Sequence, residues 1–168
     1  LPDEAVAAQI AERAGVPESG VFLPTYATAS LSGSVVAASR AAELAVFRLS
    51  ELGYDPLDVL SATGSAPVAP VAENERAALA TTQDALAYGS RAHLVVDRPF
   101  DRFDEVVSTA HTEYDTPFAE IFEDVGWETG ELPLELFGPA QVTVDVVGGD
   151  TYAVGERSED LLAESFRL

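Results

Sequence analysis

The chain contains no lysine, no methionine and no cysteine. Without cysteine there can be no disulfide, thiolate metal centre or cysteine nucleophile. Without lysine, arginine is the only strongly basic side chain, and nine arginines face 29 acidic residues for a net charge of −20. No basic patch is available to neutralise phosphates, which excludes nucleic-acid binding by that route. No apolar run approaches the ~18 residues of a membrane-spanning helix, so no membrane partner is expected. No basic segment followed by an apolar one marks a signal peptide, and the expected compartment is the cytoplasm. The missing methionine implies that Leu1 is not a translation start and that the 168 residues are cut from a longer chain.

What is present argues for a folded protein. Hydrophobic residues make up 47% of the sequence, too many for a chain kept disordered by its charge. The length suits one domain or two small ones with a real core. The carboxylates then read as the hydrated surface of a protein from a high-salt cytoplasm, where concentrated salt screens their repulsion.

Pattern and punctuation divide the chain. Pro2-Asp3-Glu4 starts a helix that stops at Gly15. Val21–Leu23 is a short strand candidate and Leu57–Ser61 a buried one. Ala62–Pro70, with two prolines and a glycine, reads as a shaped loop. Glu73–Ala87 is helical, Ala92–Val96 is a strand containing His93, and Phe103–Ala110 and Pro117–Val125 are short helices. Gly126–Glu135 is irregular. Strict alternation over Ala140–Val146 and Thr151–Val154, around Gly148-Gly149-Asp150, specifies a β-hairpin. A final helix begins at Ser158. The expected class is α/β with α+β character: a mixed sheet, flanking helices and a C-terminal hairpin.

The longest helical run is Ala27–Gly53. At ~100° per residue, Leu31, Val35, Ala38, Ala42, Ala45, Val46, Leu49 and Leu52 share one face. Arg40, Glu43 and Phe47 lie on the other. On spacing alone, Arg40 and Glu43 read as a surface ion pair worth a few tenths of a kcal/mol. The chemical alternative is a carboxylate oriented by a guanidinium so that it can take a proton from water. Thr28, Ser30 and Ser34, in the small and hydroxyl-rich first half of the run, are candidate substrate-binding residues, with Phe47 beside the pair. His93 and His111 have no ligand or catalytic spacing. The chain has no GxSxG elbow, P-loop or dinucleotide-binding glycine motif, and the acidic residues form no metal constellation, so no metal is expected.

Seven stretches carry a resemblance. They are Leu1-Pro2-Asp3-Glu4, ATASLSGSVVAASRAAELAVF, Leu52-Gly53-Tyr54-Asp55-Pro56, Pro67-Val68-Ala69-Pro70 followed by Glu73-Asn74, Tyr88-Gly89-Ser90, PFAEIF from Pro117, and LFGPAQ from Leu136. In this order, and over nearly the whole chain, they resemble the archaeal methenyltetrahydromethanopterin cyclohydrolases.

The resemblance implies that residues 1–168 are the C-terminal part of a two-domain cyclohydrolase fold, with the N-terminal part absent. It implies hydrolysis of 5,10-methenyltetrahydromethanopterin to the 5-formyl compound in one-carbon metabolism. The reaction would need no cofactor, the tetrahydromethanopterin-type carrier being the substrate, and would run in a cleft between two domains of each subunit of a homotrimer. The family's catalytic pair falls on Arg40 and Glu43: Glu43 as general base on water, Arg40 holding and tuning that carboxylate. The chain departs from the family pattern at Ser65-Ala66, which stand where the family usually carries Arg-Cys, and at Ala27 and Gln83, which replace a proline and an asparagine. An active-site lysine that the family draws from its N-terminal portion cannot lie in a lysine-free chain, so the isolated part is expected to lack a complete site. The alternative is a non-catalytic binding or assembly half-module that pairs with a separate N-terminal chain.

Overall fold

The alternating valines of the tail and the apolar run around His93 build the centre of the protein. The computed structural model describes residues 2–128, 130 and 132–168. Its four strands are β1 (Val59–Ser65), β2 (Arg91–Val96), β3 (Gln141–Val146) and β4 (Thr151–Gly155), ordered β1-β2-β3-β4 in one sheet. β1 and β2 are antiparallel, β2 and β3 parallel, β3 and β4 antiparallel. Because side chains alternate along a strand, Ala92, Leu94 and Val96 of β2 and Val142, Val144 and Val146 of β3 all point to one face, where they are buried. His93 and Asp145 point to the other.

Seven helices surround the sheet among the described residues: α1 (Glu4–Ala14), α2 (Leu31–Ala38), α3 (Ala41–Glu51), α4 (Glu75–Ala87), α5 (Ala110–Glu113), α6 (Phe118–Asp124) and α7 (Glu159–Phe166). α3 lies on the apolar face of the sheet, and its Ala45 and Leu49 join Tyr54, Phe103, Val106 and the strand valines in one core. A second core forms where α4, α6 and α7 meet, around Tyr88, Phe118, Ile121, Phe122 and Leu161. A small third one joins Ala41 and Leu44 of α3 to Leu86 of α4. The fold is thus α/β with a mixed sheet, flanking helices and a C-terminal hairpin.

Local chemistry sets the boundaries. Asp3 accepts a hydrogen bond from the Val6 amide at 3.0 Å to start α1, and Gly15, at φ 66°, ends it in the left-handed region that glycine tolerates. Ser30, Asn74 and Ser158 cap α2, α4 and α7 in the same way.

Several expectations are corrected. The Ala27–Gly53 run is two helices with a break at Ser39-Arg40, where the Arg40 amide turns back to the Ala37 carbonyl at 3.1 Å and the Ser39 hydroxyl donates to the Val36 carbonyl at 2.7 Å. These bonds draw carbonyls out of the α-helical ladder. The break rotates the two halves apart, so Leu31 and Val35 are exposed. The buried side of α3 is Ala41, Leu44, Ala45, Arg48 and Leu49.

The strand read at Leu57–Ser61 runs instead over Val59–Ser65, taking in residues read as loop. It is an edge strand, exposed along most of its length rather than buried. Val21–Leu23 adopts no regular structure. Phe103–Ala110 is a 3₁₀ turn over Phe103–Val106, followed after an extended link by α5. The irregular stretch includes Thr129 and Glu131, which lie outside the described residues, and ends in a 3₁₀ turn over Leu134–Leu136.

Candidate active site

The break between α2 and α3 places Arg40 at the cap position of α3 and Glu43 in its first turn. There the unpaired backbone amides of the helix start favour a negative charge. Arg40 Nε donates to Glu43 Oε2 at 2.7 Å and Nη2 to Oε1 at 3.1 Å. This two-pronged pairing fixes the plane of the carboxylate and leaves each oxygen with acceptor capacity. The pair is open to solvent, with side-chain exposures of 42% for Arg40 and 58% for Glu43. The hydrogen bonds to Glu43 hold the Arg40 guanidinium above its ordinary pKa against the opposite effect of partial burial, and the neighbouring Tyr26 adds to the rise.

The pair has a rigid footing. Ala41 and Leu44 are buried against Leu86, and β1 crosses the start of α3 at Gly64. A Cβ at that glycine would stand 2.5 Å from the Ala42 nitrogen and 3.0 Å from Ala41 Cβ. Only a residue without a side chain lets the strand approach this closely.

Two depressions flank Glu43. One, about 200 Å³, is lined by Arg40, Glu43, Phe47, Gln83, Leu134 and Phe137. The other, about 500 Å³, is lined by Glu43, Phe47, Val46, Ser50, Pro56 and Ala62, among others. Glu43 and Phe47 belong to both.

The structure therefore brings Phe47 together with Arg40 and Glu43. Thr28, Ser30 and Ser34 line neither depression. The Thr28 amide donates to Glu75 Oε2 at 2.9 Å. The Ser30 hydroxyl caps the Gly33 amide at 3.0 Å and donates to the Ala27 carbonyl at 2.6 Å. Ser34 is buried on α2, the helix that packs on α4. His93 and His111 also line neither depression; His93 Nε2 lies 2.7 Å from Asp145 Oδ2 on the far face of the sheet. Among the described residues, no group of three or more His, Cys, Asp or Glu side chains is placed to hold a metal ion.

Gln83, Leu134 and Phe137 escaped the sequence reading as site residues because the fold brings them to the pair from 40 to 94 positions beyond Glu43. Asp84 escaped it too, although its signal was legible. It sits four residues after Ala80 and four before Tyr88, on the buried stripe of α4. Its Oδ1 accepts from the Phe118 amide at 2.8 Å and its Oδ2 from the Ser165 hydroxyl at 2.6 Å. Burial nonetheless pushes its pKa from the ordinary 3.8 up to about 6.

Comparison with known proteins places these features in a family. A family model described as "Cyclohydrolase (MCH)" matches residues 1–166. A protein of Halobacterium salinarum named methenyltetrahydromethanopterin cyclohydrolase is 60% identical over 168 residues, covering 100% of this chain and 54% of that protein. Proteins of the same name from Methanocella arvoryzae and Methanospirillum hungatei are 37% and 34% identical, covering 99% of this chain and 53% and 54% of theirs. The chain thus spans about half the length of the curated relatives it matches. It belongs to the cyclohydrolase family.

Proposed function

We propose that this chain is the C-terminal part of a cyclohydrolase that opens 5,10-methenyltetrahydromethanopterin to the 5-formyl compound, and that Glu43 and Arg40 carry the chemistry. The observation that carries this reading is the two-pronged Arg40–Glu43 pair, with bonds of 2.7 and 3.1 Å on the first turn of α3, in a chain whose relatives bear that activity in their name.

The methenyl bridge is an amidinium-like cation with an electrophilic carbon between N5 and N10. Glu43 accepts a proton from a water molecule as the water oxygen bonds to that carbon. The negative carboxylate also favours the cationic bridge beside it. The carbon–N10 bond then breaks, N10 takes up a proton, and the hydroxyl proton of the intermediate leaves as the formyl group forms. The net change is addition of one water and release of one proton. Arg40 keeps the carboxylate plane fixed through the sequence.

The step uses side chains and water, with no metal or prosthetic group assigned to it. In the whole protein the reaction takes place at the meeting of this part with an N-terminal part, in a cytoplasmic homotrimer. The fixed orientation of Glu43 and the solvent access of its carboxylate support the catalytic reading over that of an assembly module.

The direct test is to follow the methenyl absorbance of the substrate with the family-length protein carrying this chain. Loss of absorbance with formation of the 5-formyl product at enzymatic rates is expected. A pure, folded protein that leaves the substrate unchanged contradicts the proposal.

A further inference from the structure

We propose that a recess between the last turns of α3 and the 3₁₀ turn over Phe103–Val106 binds a small anion, chloride at high salt, on the buried guanidinium of Arg48. The starting point is a charge without a partner. Four residues after Leu44 and three after Ala45, Arg48 falls on the buried side of α3. It is 4% exposed and forms no ion pair among the described residues. Its Nη2 donates to the Glu105 carbonyl at 3.3 Å, and its buried Nε has no hydrogen-bond partner. A buried charge is strongly disfavoured unless it is paired. In a chain with 29 acidic residues, the fold nevertheless pairs no described carboxylate with this one. Glu105 is engaged by Arg102 through two bonds of 2.6 Å. Those bonds, more than the charge of Arg48, hold the Glu105 carboxyl below its ordinary range.

A second donor stands in the same place. Thr109 Oγ1 is buried without a hydrogen-bond partner, as Arg48 Nε is, and the two residues line one recess of about 440 Å³. They supply two of the three such buried atoms among the described residues, so the shortage is concentrated there. The Thr109 amide donates to the Glu135 carbonyl at 3.1 Å, and its carbonyl accepts from the Thr112 hydroxyl at 3.0 Å, which fixes the residue in position. An N–H and an O–H ask for a shared acceptor. A halide accepts from both without directional demand and offsets the guanidinium charge, which a neutral acceptor does not. Glu51, Asp104 and Glu135 also line the recess and are exposed. Their field weakens the site in dilute salt and is screened in concentrated salt, so occupancy belongs to molar chloride. The recess stands apart from the Arg40–Glu43 pair: among the described residues it shares only Leu134 with the depressions beside Glu43. The proposal does not depend on the cyclohydrolase reading.

Two measurements on the family-length protein test it. In crystals soaked in molar sodium bromide, anomalous scattering is expected to place one bromide in contact with Arg48 Nε and Thr109 Oγ1. No bromide there overturns the proposal, and so does a bromide that persists in Arg48→Met, which marks an adventitious ion only. In thermal unfolding, the gain in melting temperature from dilute to molar KCl is compared across wild type, Thr109→Val and Arg48→Met. Losing either donor is expected to reduce that gain by about 2 °C or more. Screening alone predicts the opposite for Arg48→Met, which makes the net charge more negative and leaves more repulsion for salt to remove. Thr109→Val keeps both charge and shape, and it decides the matter where Arg48→Met does not fold. A Thr109→Val protein with the same gain as wild type overturns the proposal, whatever its melting temperature in dilute salt.

Discussion

Arg40 contributes little to the fold and much to the position of Glu43. Both side chains are close to half exposed or more, and exposed i, i+3 pairs contribute only a few tenths of a kcal/mol. Replacing Arg40 by lysine keeps the charge but not the planar fork that engages both carboxylate oxygens. Arg40→Lys is therefore expected to leave stability within ~0.5 kcal/mol of wild type while slowing turnover about 10- to 100-fold, the cost of a misoriented proton acceptor. Denaturant unfolding and steady-state kinetics on the same preparation check this. A loss of stability with unchanged turnover would reverse the roles. The pair was legible in the sequence because it is local: three residues on a helix place two side chains together whatever the rest of the chain does. The places of Gln83, Leu134 and Phe137 beside it were not, because no local spacing connects them to Glu43.

Among the elements, those with strong punctuation or alternation matched their sequence patterns. The caps at Asp3 and Ser158 and the alternation of β3 each act through near neighbours, so α1, α7 and the hairpin follow from their own residues, while α4 starts two residues later than its pattern, after the Asn74 cap. The Ala27–Gly53 run could not, because its break depends on a competition for carbonyls between Ser39, Arg40 and the helix ladder that residue spacing does not encode. β1 was misplaced for a related reason. Its Ala-Thr-Gly-Ser stretch, Ala62–Ser65, reads as loop, and pairing with β2 makes it a strand.

The junction of α4, α6 and α7 gives a pH signature. Asp84 of α4 ties the Phe118 amide of α6 to the Ser165 hydroxyl of α7, and the folded state raises its pKa from 3.8 to about 6. The folded chain thus holds this proton more tightly than the unfolded chain. The contribution is fully present below about pH 4 and is lost as pH rises through 6, amounting to about 3 kcal/mol between those limits. Asp84→Asn keeps an acceptor for Phe118 and cannot ionise. Relative to the variant, wild type is expected to lose stability from pH 4.5 to pH 7.5. Parallel pH profiles of the two proteins in denaturant unfolding would contradict it.

At the scale of the whole molecule, the charge governs behaviour. Among the described residues Asp84 is the only buried carboxylate, so nearly all of the net charge of −20 is spread over the surface. Self-repulsion on that scale opposes the compact state, and molar salt, with a Debye length of ~3 Å, removes most of it. The melting temperature is expected to rise by about 10 °C or more between 0.1 M and 2 M KCl in thermal unfolding. A flat response would show that the surface charge is not adapted to salt.

The proposed function rests on one claim, that the Glu43 carboxylate takes the proton of the attacking water. The measurement that bears on it most directly is the turnover of Glu43→Gln in the family-length protein under saturating methenyl substrate. The amide keeps the shape of the side chain and cannot accept that proton. The predicted result is turnover slowed by roughly two to four orders of magnitude, the usual span of general-base catalysis, with substrate affinity changed by less than tenfold. Turnover near that of wild type would contradict the account.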